Sequence, residues 1–393
     1  MILCTFSLPL RHMNQCMERF DDIRPYTDDE MHNQMRSLIA DPVFRKVAEM
    51  LYGKESEQVL RMLPALESID QFQNSVIYPL LERIETMSTG GITFSTMNHF
   101  HPEDNYLFVS NHRDIILDSA FLNVVMHRNG FRKTEIAIGD NLLIYDWIEK
   151  LVRINRSFIV KRNLGIREQL AASNQLSAYI RHTLTRKGES VWIAQREGRT
   201  KDGNDLTQAA LIKMLNMSND GSLLEGFFEL NIVPMAISYE IEPCGISKVA
   251  ELLNRKHNPG FLKTQEDDLK SMAGGFMMPK GRVHFGFGNP LNFKLVELVH
   301  GKKANEAIQS VVEYIDKRIY YNYKRWPSNY IASDLLRNEE RYKGYYAPED
   351  KEAFWARMDL ETASIPFDRE ESIPMYLQMY ANPVINFEKN FPE

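Results

Sequence analysis

Apolar positions change their period twice along the chain. Over residues 27–86 they recur at helical spacing, with Met35, Leu38, Ile39, Phe44, Val47, Met50 and Leu51 marking the stripe, so a helical N-terminal subdomain over residues 1–90 is expected. From Ile92 onward short β-rich runs (106–110, 135–138, 157–160, 190–194, 232–238 and 283–287) alternate with helix-length stretches. That alternation predicts an α/β domain over residues 91–300, a central mostly parallel or mixed sheet flanked by helices. Ligands of such sheets bind beyond the carboxyl ends of strands, and the polar clusters of this sequence fall there. After Gly301 helical spacing returns in Ile308, Val311, Val312, Ile315 and Ile319. The tail beyond Ala347 is rich in aromatics and acids and holds Pro348, Pro366, Pro374 and Pro383. It is expected to wrap the domain as short helices and loops, so that residues 301–393 form a helical C-terminal extension packed on the core.

Composition narrows the choice of partners. With 393 residues, 44% of them hydrophobic, the chain can fill one large core and a smaller one. A net charge of −6 gives no reason to expect nucleic acid. The local balance differs: residues 131–213 hold fifteen Lys and Arg against nine Asp and Glu, a surplus that suits an anionic substrate or lipid surface as well as it suits a solvated basic face. Three scattered cysteines, Cys4, Cys16 and Cys244, make neither a disulfide framework nor a zinc cluster and point to a reducing compartment. No run approaches the roughly 20 apolar residues of a membrane span, so any membrane contact is expected to be peripheral. Residues 2–10 are apolar but have neither a basic start nor a small-residue cleavage site. They do not read as a signal peptide, and a start at Met17 accounts for them equally well.

Four constellations carry chemistry. Ser110-Asn111-His112-Arg113-Asp114-Ile115-Ile116-Leu117-Asp118 follows the first long strand and leads into a helical run. A histidine at a strand exit can turn one imidazole nitrogen to substrate while a nearby carboxylate holds the other, which is the arrangement of a general base. Taken singly it is equally compatible with a structural histidine, and Asp114 with a helix-start residue. His-Arg-Asp also opens the catalytic loop of protein kinases, but Ser119 stands where a kinase needs Asn, and the glycine-rich loop, strand lysine and Asp-Phe-Gly are missing. The second constellation, Ser157-Phe158-Ile159-Val160-Lys161-Arg162, brings two cations to a strand end. In the third, Gln195-Arg196-Glu197-Gly198-Arg199-Thr200-Lys201-Asp202-Gly203, glycines permit close backbone approach, and Arg199 and Lys201 offer donors that match phosphate oxygens. Each of these two alone also reads as a charged surface turn. The fourth, Ile232-Val233-Pro234-Met235-Ala236-Ile237-Ser238-Tyr239-Glu240, says only buried strand, with Pro234 expected at its start or at an edge.

In this order and at these separations the four segments resemble the four blocks of the glycerol-phosphate acyltransferase family: Asn-His-x-x-x-x-Asp, an apolar strand ending in Arg, Glu-Gly-x-Arg, and an apolar strand around Pro. Val233 to Glu240 and the later Phe287-Gly288-Asn289-Pro290 are similar to the glycerol-3-phosphate and dihydroxyacetone-phosphate branch. The likeness runs over residues 105–291. Two departures mark a divergent subfamily. The family's Asp lies five positions after His, where this chain has Leu117. Alignment of the apolar residues after Asp118 favours it as the counterpart; a helical step of roughly 100° per residue turns it off its mark, so either a one-residue bulge restores the contact or Asp114 serves. In the third block one residue is missing between Gly198 and Arg199, which leaves Arg199 and Lys201 as alternatives for the phosphate.

The resemblance implies direct acyl transfer without an acyl-enzyme. His112, paired with Asp118 or Asp114, would deprotonate an acceptor hydroxyl as it attacks the thioester of acyl-CoA or an acyl carrier protein. Arg113, Lys161, Arg162, Glu197, Gly198, Arg199 and Lys201 are the implied substrate-binding residues, and no metal or cofactor is implied beyond the donor. The acceptor would be glycerol-3-phosphate or a related phospholipid precursor. A lysophospholipid or an acylated amino-acid lipid is the alternative, and a non-catalytic lipid-binding relative with a disabled site is a third reading. The expected location is cytoplasmic, peripheral to the inner face of the membrane, with Arg153, Arg156, Lys161, Arg162 and Arg167 as the cations placed to meet it.

Overall fold

The computed structural model describes residues 18–95 and 97–392; residues 2–10, Cys4, Cys16 and Met17 lie outside the described residues. Seven strands, β1 (Ile92–Phe94), β2 (Leu107–Ser110), β3 (Thr134–Gly139), β4 (Ser157–Val160), β5 (Ser190–Ala194), β6 (Ile232–Tyr239) and β7 (Val283–Phe287), form one sheet in the order β1-β7-β6-β2-β5-β3-β4. β6, β2, β5, β3 and β4 are parallel. β7 runs antiparallel to β6, and β1 parallel to β7. This is the mixed, helix-flanked sheet that the alternation of runs predicts. Each of the six expected runs is a strand, with ends moved by one residue at most. The addition is β1, whose three residues are too few to show a period.

Strand side chains alternate between two cores, as a pleat requires. Leu107, Val109, Val191, Ile193, Ile232 and Ala236 face one layer, completed by the helices Ile166–His182, Ala209–Leu215, Leu223–Leu230 and Ala304–Asn322. Phe108, Trp192, Val233, Met235, Ile237 and Tyr239 face the other, with the helices Tyr78–Ser88 and Leu117–Arg128. The stripe of Ile308, Val311, Val312, Ile315 and Ile319 is therefore sheet-covering core. A third core lies among the helices of residues 28–88 and helix Asp146–Ile154. The early stripe breaks at Asp41, whose side chain accepts from Val43 N and Phe44 N and starts a new helix. The change of axis leaves Met50 57% exposed.

Pro234 stands third in β6, an interior strand. Its carbonyl accepts from Gly288 N at 2.8 Å, and the missing N–H faces the same way, past the start of the β6–β7 ladder at Met235, so no ladder bond is lost. The tail differs from its expectation: it makes two long helices, Pro348–Ala363 and Arg369–Asn390, the second with Pro374 and Pro383 inside it. Pro383 withholds the amide that would bond the Met379 carbonyl. Gly203, at φ +74°, passes that carbonyl so closely that a Cβ would collide with it, and Asn382 Nδ2 donates to Asp202 O at 2.6 Å. The tertiary contact fills the gap in the helix and docks the loop after β5 on the C-terminal helix. Among the described residues no helix is long and apolar enough to cross a membrane.

Candidate active site

β2 and β5 end side by side, with Ser110 paired to Ala194, while β6 runs on from Met235, the other partner of Ser110, to Tyr239. The chain beyond β2 is held there by Asn111, whose Oδ1 accepts from Ile237 N at 2.7 Å and whose Nδ2 donates to Ile237 O at 2.9 Å. His112 follows, its side chain 13% exposed. Its ring stands edge-on to Trp192 at 5.5 Å between centroids, and Trp192 Nε1 is fixed on Ser110 Oγ.

Asp118 is the partner of His112. Its Oδ2 lies 2.8 Å from His112 Nδ1 and also accepts from Arg113 N at 2.6 Å and Asp114 N at 3.1 Å. Residues 111–116 are not helical and the helix begins only at Leu117, so the separation from His112 is not counted in helical steps and the extra residue disappears into the loop. The displaced aspartate, the feature that favoured a disabled site, thus reaches the imidazole. Asp114 serves the backbone instead, where its Oδ1 accepts from Ile116 N and Leu117 N and holds the turn that leads into the helix. With Asp118 accepting at Nδ1, the imidazole holds its proton there and presents Nε2 as the free base.

Arg113 turns inward. Its guanidinium is fully buried, donating to Asp205 Oδ2 at 2.6 Å and Glu242 Oε2 at 3.1 Å. Lys248 Nζ donates to Glu242 Oε1 at 2.6 Å and to the Arg113 carbonyl at 2.8 Å, and Thr200 Oγ1 to Asp205 Oδ1 at 2.7 Å. Burial pushes the Glu242 carboxyl up, but Arg113 and Lys248 outweigh it and hold it below its ordinary value. Two cations and two anions are so paired, although Arg113 Nε has no partner among the described residues, and burial pushes the Asp205 carboxyl up and the Lys248 ammonium down. The cluster binds together the loops after β2, β5 and β6.

The cations of the second and third constellations separate. Lys161 pairs with Asp22, and Arg162 with Glu197 at 2.8 Å. Arg162 lies at a cavity of about 280 Å³ beyond β3, β4 and β5, with Val160, Leu176, Ile193 and Leu211 on its walls. Arg199 and Lys201 lie on the His112 side, because Thr200 N between them donates to the His112 carbonyl at 3.0 Å. Arg199 is buried, and its Nη1 has no hydrogen-bond partner among the described residues. Burial, reinforced by Arg199 and opposed by Glu251, pulls the Lys201 ammonium down to about 7. Gly198, at φ +69° with open space where a Cβ would be, supplies the left-handed turn before them. Of the cations expected to meet a membrane, Arg153 is bound to the Asp21 and Arg24 carbonyls and Glu149, and Arg156 to Asp70 and Glu189. Arg167 is exposed.

Asn111, Trp192, Asp205, Tyr239, Glu242 and Lys248 were not singled out by sequence reasoning. Asn111 and Tyr239 stand inside the first and fourth constellations, whereas Asp205, Glu242 and Lys248 belong to no spacing that points at His112.

Residues 91–238 match the family model described as Acyltransferase. No curated protein matches the chain in sequence. Among solved structures, the 1-acyl-sn-glycerophosphate acyltransferase PlsC of Thermotoga maritima is similar at a TM-score of 0.36 and 11% identity, over 74% of this chain and 94% of that one, a likeness too slight to bear on the site. The chain carries an acyltransferase domain, and it is an enzyme of the acyltransferase class.

Replacing Arg113 by Ala strands Asp205 and leaves Glu242 to Lys248 alone. We expect a loss of about 3–5 kcal/mol in urea-unfolding free energy; a loss below about 1 kcal/mol would mean that the cluster does not hold the loops.

Proposed function

We propose that this protein is an O-acyltransferase that moves a fatty acyl group from an acyl thioester, acyl-CoA or acyl carrier protein, to a hydroxyl of glycerol-3-phosphate or a closely related phosphate-bearing phospholipid precursor. One observation carries the reading: the segment tied to the His112 carbonyl through Thr200 N carries Arg199, a buried side chain whose Nη1 has no partner among the described residues, next to a histidine paired with Asp118. A buried donor without a partner costs free energy unless a ligand answers it, and a phosphate suits a guanidinium.

In this mechanism Nε2 of His112 takes the proton of the acceptor hydroxyl as its oxygen attacks the thioester carbonyl. Asp118 stabilises the imidazolium that forms. Collapse of the tetrahedral intermediate expels the thiol of the donor, which receives the proton from His112, and an ester is left on the acceptor. Arg199 and Lys201 hold the phosphate so that the hydroxyl lies within reach of Nε2, and this positioning supplies much of the rate. The cavity at Arg162, where Val160, Leu176, Ile193 and Leu211 share the walls with Gln169, Ser173 and Gln208, is assigned to the acyl-thioester end of the donor. Docking at a membrane is peripheral, because a long-chain product partitions into the bilayer.

The direct test offers one labelled acyl thioester to glycerol-3-phosphate, dihydroxyacetone phosphate, a lysophospholipid and an acylated amino acid; turnover confined to the acylated amino acid would remove the phosphate assignment, and turnover confined to the lysophospholipid would replace glycerol-3-phosphate as the acceptor. His112→Ala is expected to abolish transfer with the fold retained, and near-normal turnover would remove the base. Arg199→Ala should chiefly raise the acceptor KM, by about 10- to 100-fold for one charge-assisted bond. Lys201 is charged below about 7 and neutral above it, so the acceptor KM should rise as pH increases through that value. Lys201→Arg, which stays charged, should flatten the rise; an unchanged slope would take Lys201 out of the phosphate site.

A further inference from the structure

Asp118 has two oxygens, and His112 uses one. Oδ2 receives the imidazole and two backbone amides, whereas Oδ1 receives the Tyr239 hydroxyl at 2.8 Å. Asp118 is fully buried and Tyr239 is 1% exposed. Tyr239 ends β6, the strand beside β2, and is anchored in the sheet core among Phe285, Leu117 and Phe121. The two amides belong to the same loop as His112 and move with it. The phenol comes from a different strand and is the contact that refers the carboxylate to the sheet.

We propose that Tyr239 is a positioning residue of the acyl-transfer site: its hydroxyl fixes the rotation of the Asp118 carboxylate and sets how strongly that carboxylate supports protonated His112. The inference rests on His112 being the base. A carboxylate turns about its Cβ–Cγ bond with little restraint of its own, and a donor on Oδ1 stops that rotation with Oδ2 aimed at Nδ1. Each donor also withdraws charge from the carboxylate, so Tyr239 lowers the stabilisation that Asp118 gives the imidazolium. The phenol is itself a fixed donor: burial, then the neighbouring Asp118 and Asp114, push it well above the ordinary tyrosine value, and it keeps its proton through any assay range. Besides Asp118, the charged groups that act on the phenol are Asp114 and Glu242; behind them Lys280 acts on Asp114, and Arg113, Asp205, Lys248 and Arg199 form the neighbouring cluster, and all of them remain when the hydroxyl alone is removed.

The test compares pH profiles of kcat/KM for the full chain. Tyr239→Phe leaves Asp118 more basic, so the acid limb should move to higher pH while kcat falls about tenfold, the rate equivalent of one hydrogen bond. In an Asp118→Asn background the same substitution should add nothing, because its effect passes through the carboxylate. Incorporating 3-fluorotyrosine at position 239 keeps the shape and strengthens the donor, so the limb should move to lower pH; this variant reads the proposal even if Tyr239→Phe fails to fold. An acid limb that stays in place with 3-fluorotyrosine, or a full additive loss in the Asp118→Asn background, overturns the role of Tyr239. Retained turnover in His112→Ala would instead remove the base beneath it, so the two failures are told apart.

Discussion

Asp118 sits in the first turn of its helix with no exposure to solvent, and donors from His112, Arg113, Asp114 and Tyr239 end on its two oxygens. A buried carboxylate is costly unless its lone pairs are answered, and answering them determines where the loop after β2 must run. Four donors from the loop and from β6 can meet one carboxylate only if residues 111–116 stay out of helical geometry. The irregular backbone at the site is thus a consequence of satisfying one buried charge. It also places the imidazole at the carboxyl edge of the sheet with its second nitrogen unclaimed by Asp118.

A second buried constraint lies behind the first. Arg113, Asp205, Glu242 and Lys248 neutralise one another in the interior, and they come from the connections that follow β2, β5 and β6. Glu242 N donates to Tyr380 OH, and Asn329 Nδ2 to the Tyr380 carbonyl, so helices beyond residue 326 take part in holding the loop ends. The segment expected from sequence as a helical extension packed on the core is structurally continuous with the loops at the His112 edge. Apolar side chains of equal volume would give comparable stability, but they would not fix the direction of the three loops. Direction is what an acyl-transfer geometry demands.

Much of the frame was legible from periodicity. Runs of 4–8 buried residues separated by helix-length segments make strands at 107–110, 157–160, 190–194 and 283–287 because both faces of this sheet are covered. The position of His112 at the exit of β2 was legible too, whereas Arg199 and Lys201 lie further along the loop after β5 and meet the His112 segment only through Thr200 N. The partner of His112 was legible only in part: the apolar residues after Asp118 favour it, and the structure pairs it with the imidazole, but spacing alone leaves Asp114 open. Asp118 and Asp114 differ by four positions, and the choice depends on whether the intervening backbone is helical, which a side-chain pattern does not reveal. Lys161 and Arg162 looked alike in sequence, yet Asp22, far away in the chain, takes the first and Glu197 the second.

By itself the amino-acid sequence determined the alternation of strand and helix, the strand ends at which chemistry is concentrated, and the residue types able to move a proton and hold a phosphate. These are local quantities, set by side-chain identity and near-neighbour spacing. Only the tertiary structure decided that Asp118 receives the imidazole, that Arg113 faces inward to Asp205 and Glu242 while the buried Arg199 meets no carboxylate among the described residues, and that Tyr239 closes the second oxygen of the carboxylate. Those outcomes depend on which buried groups meet across strands far apart in the chain, a distance over which side-chain identity and near-neighbour spacing carry no information.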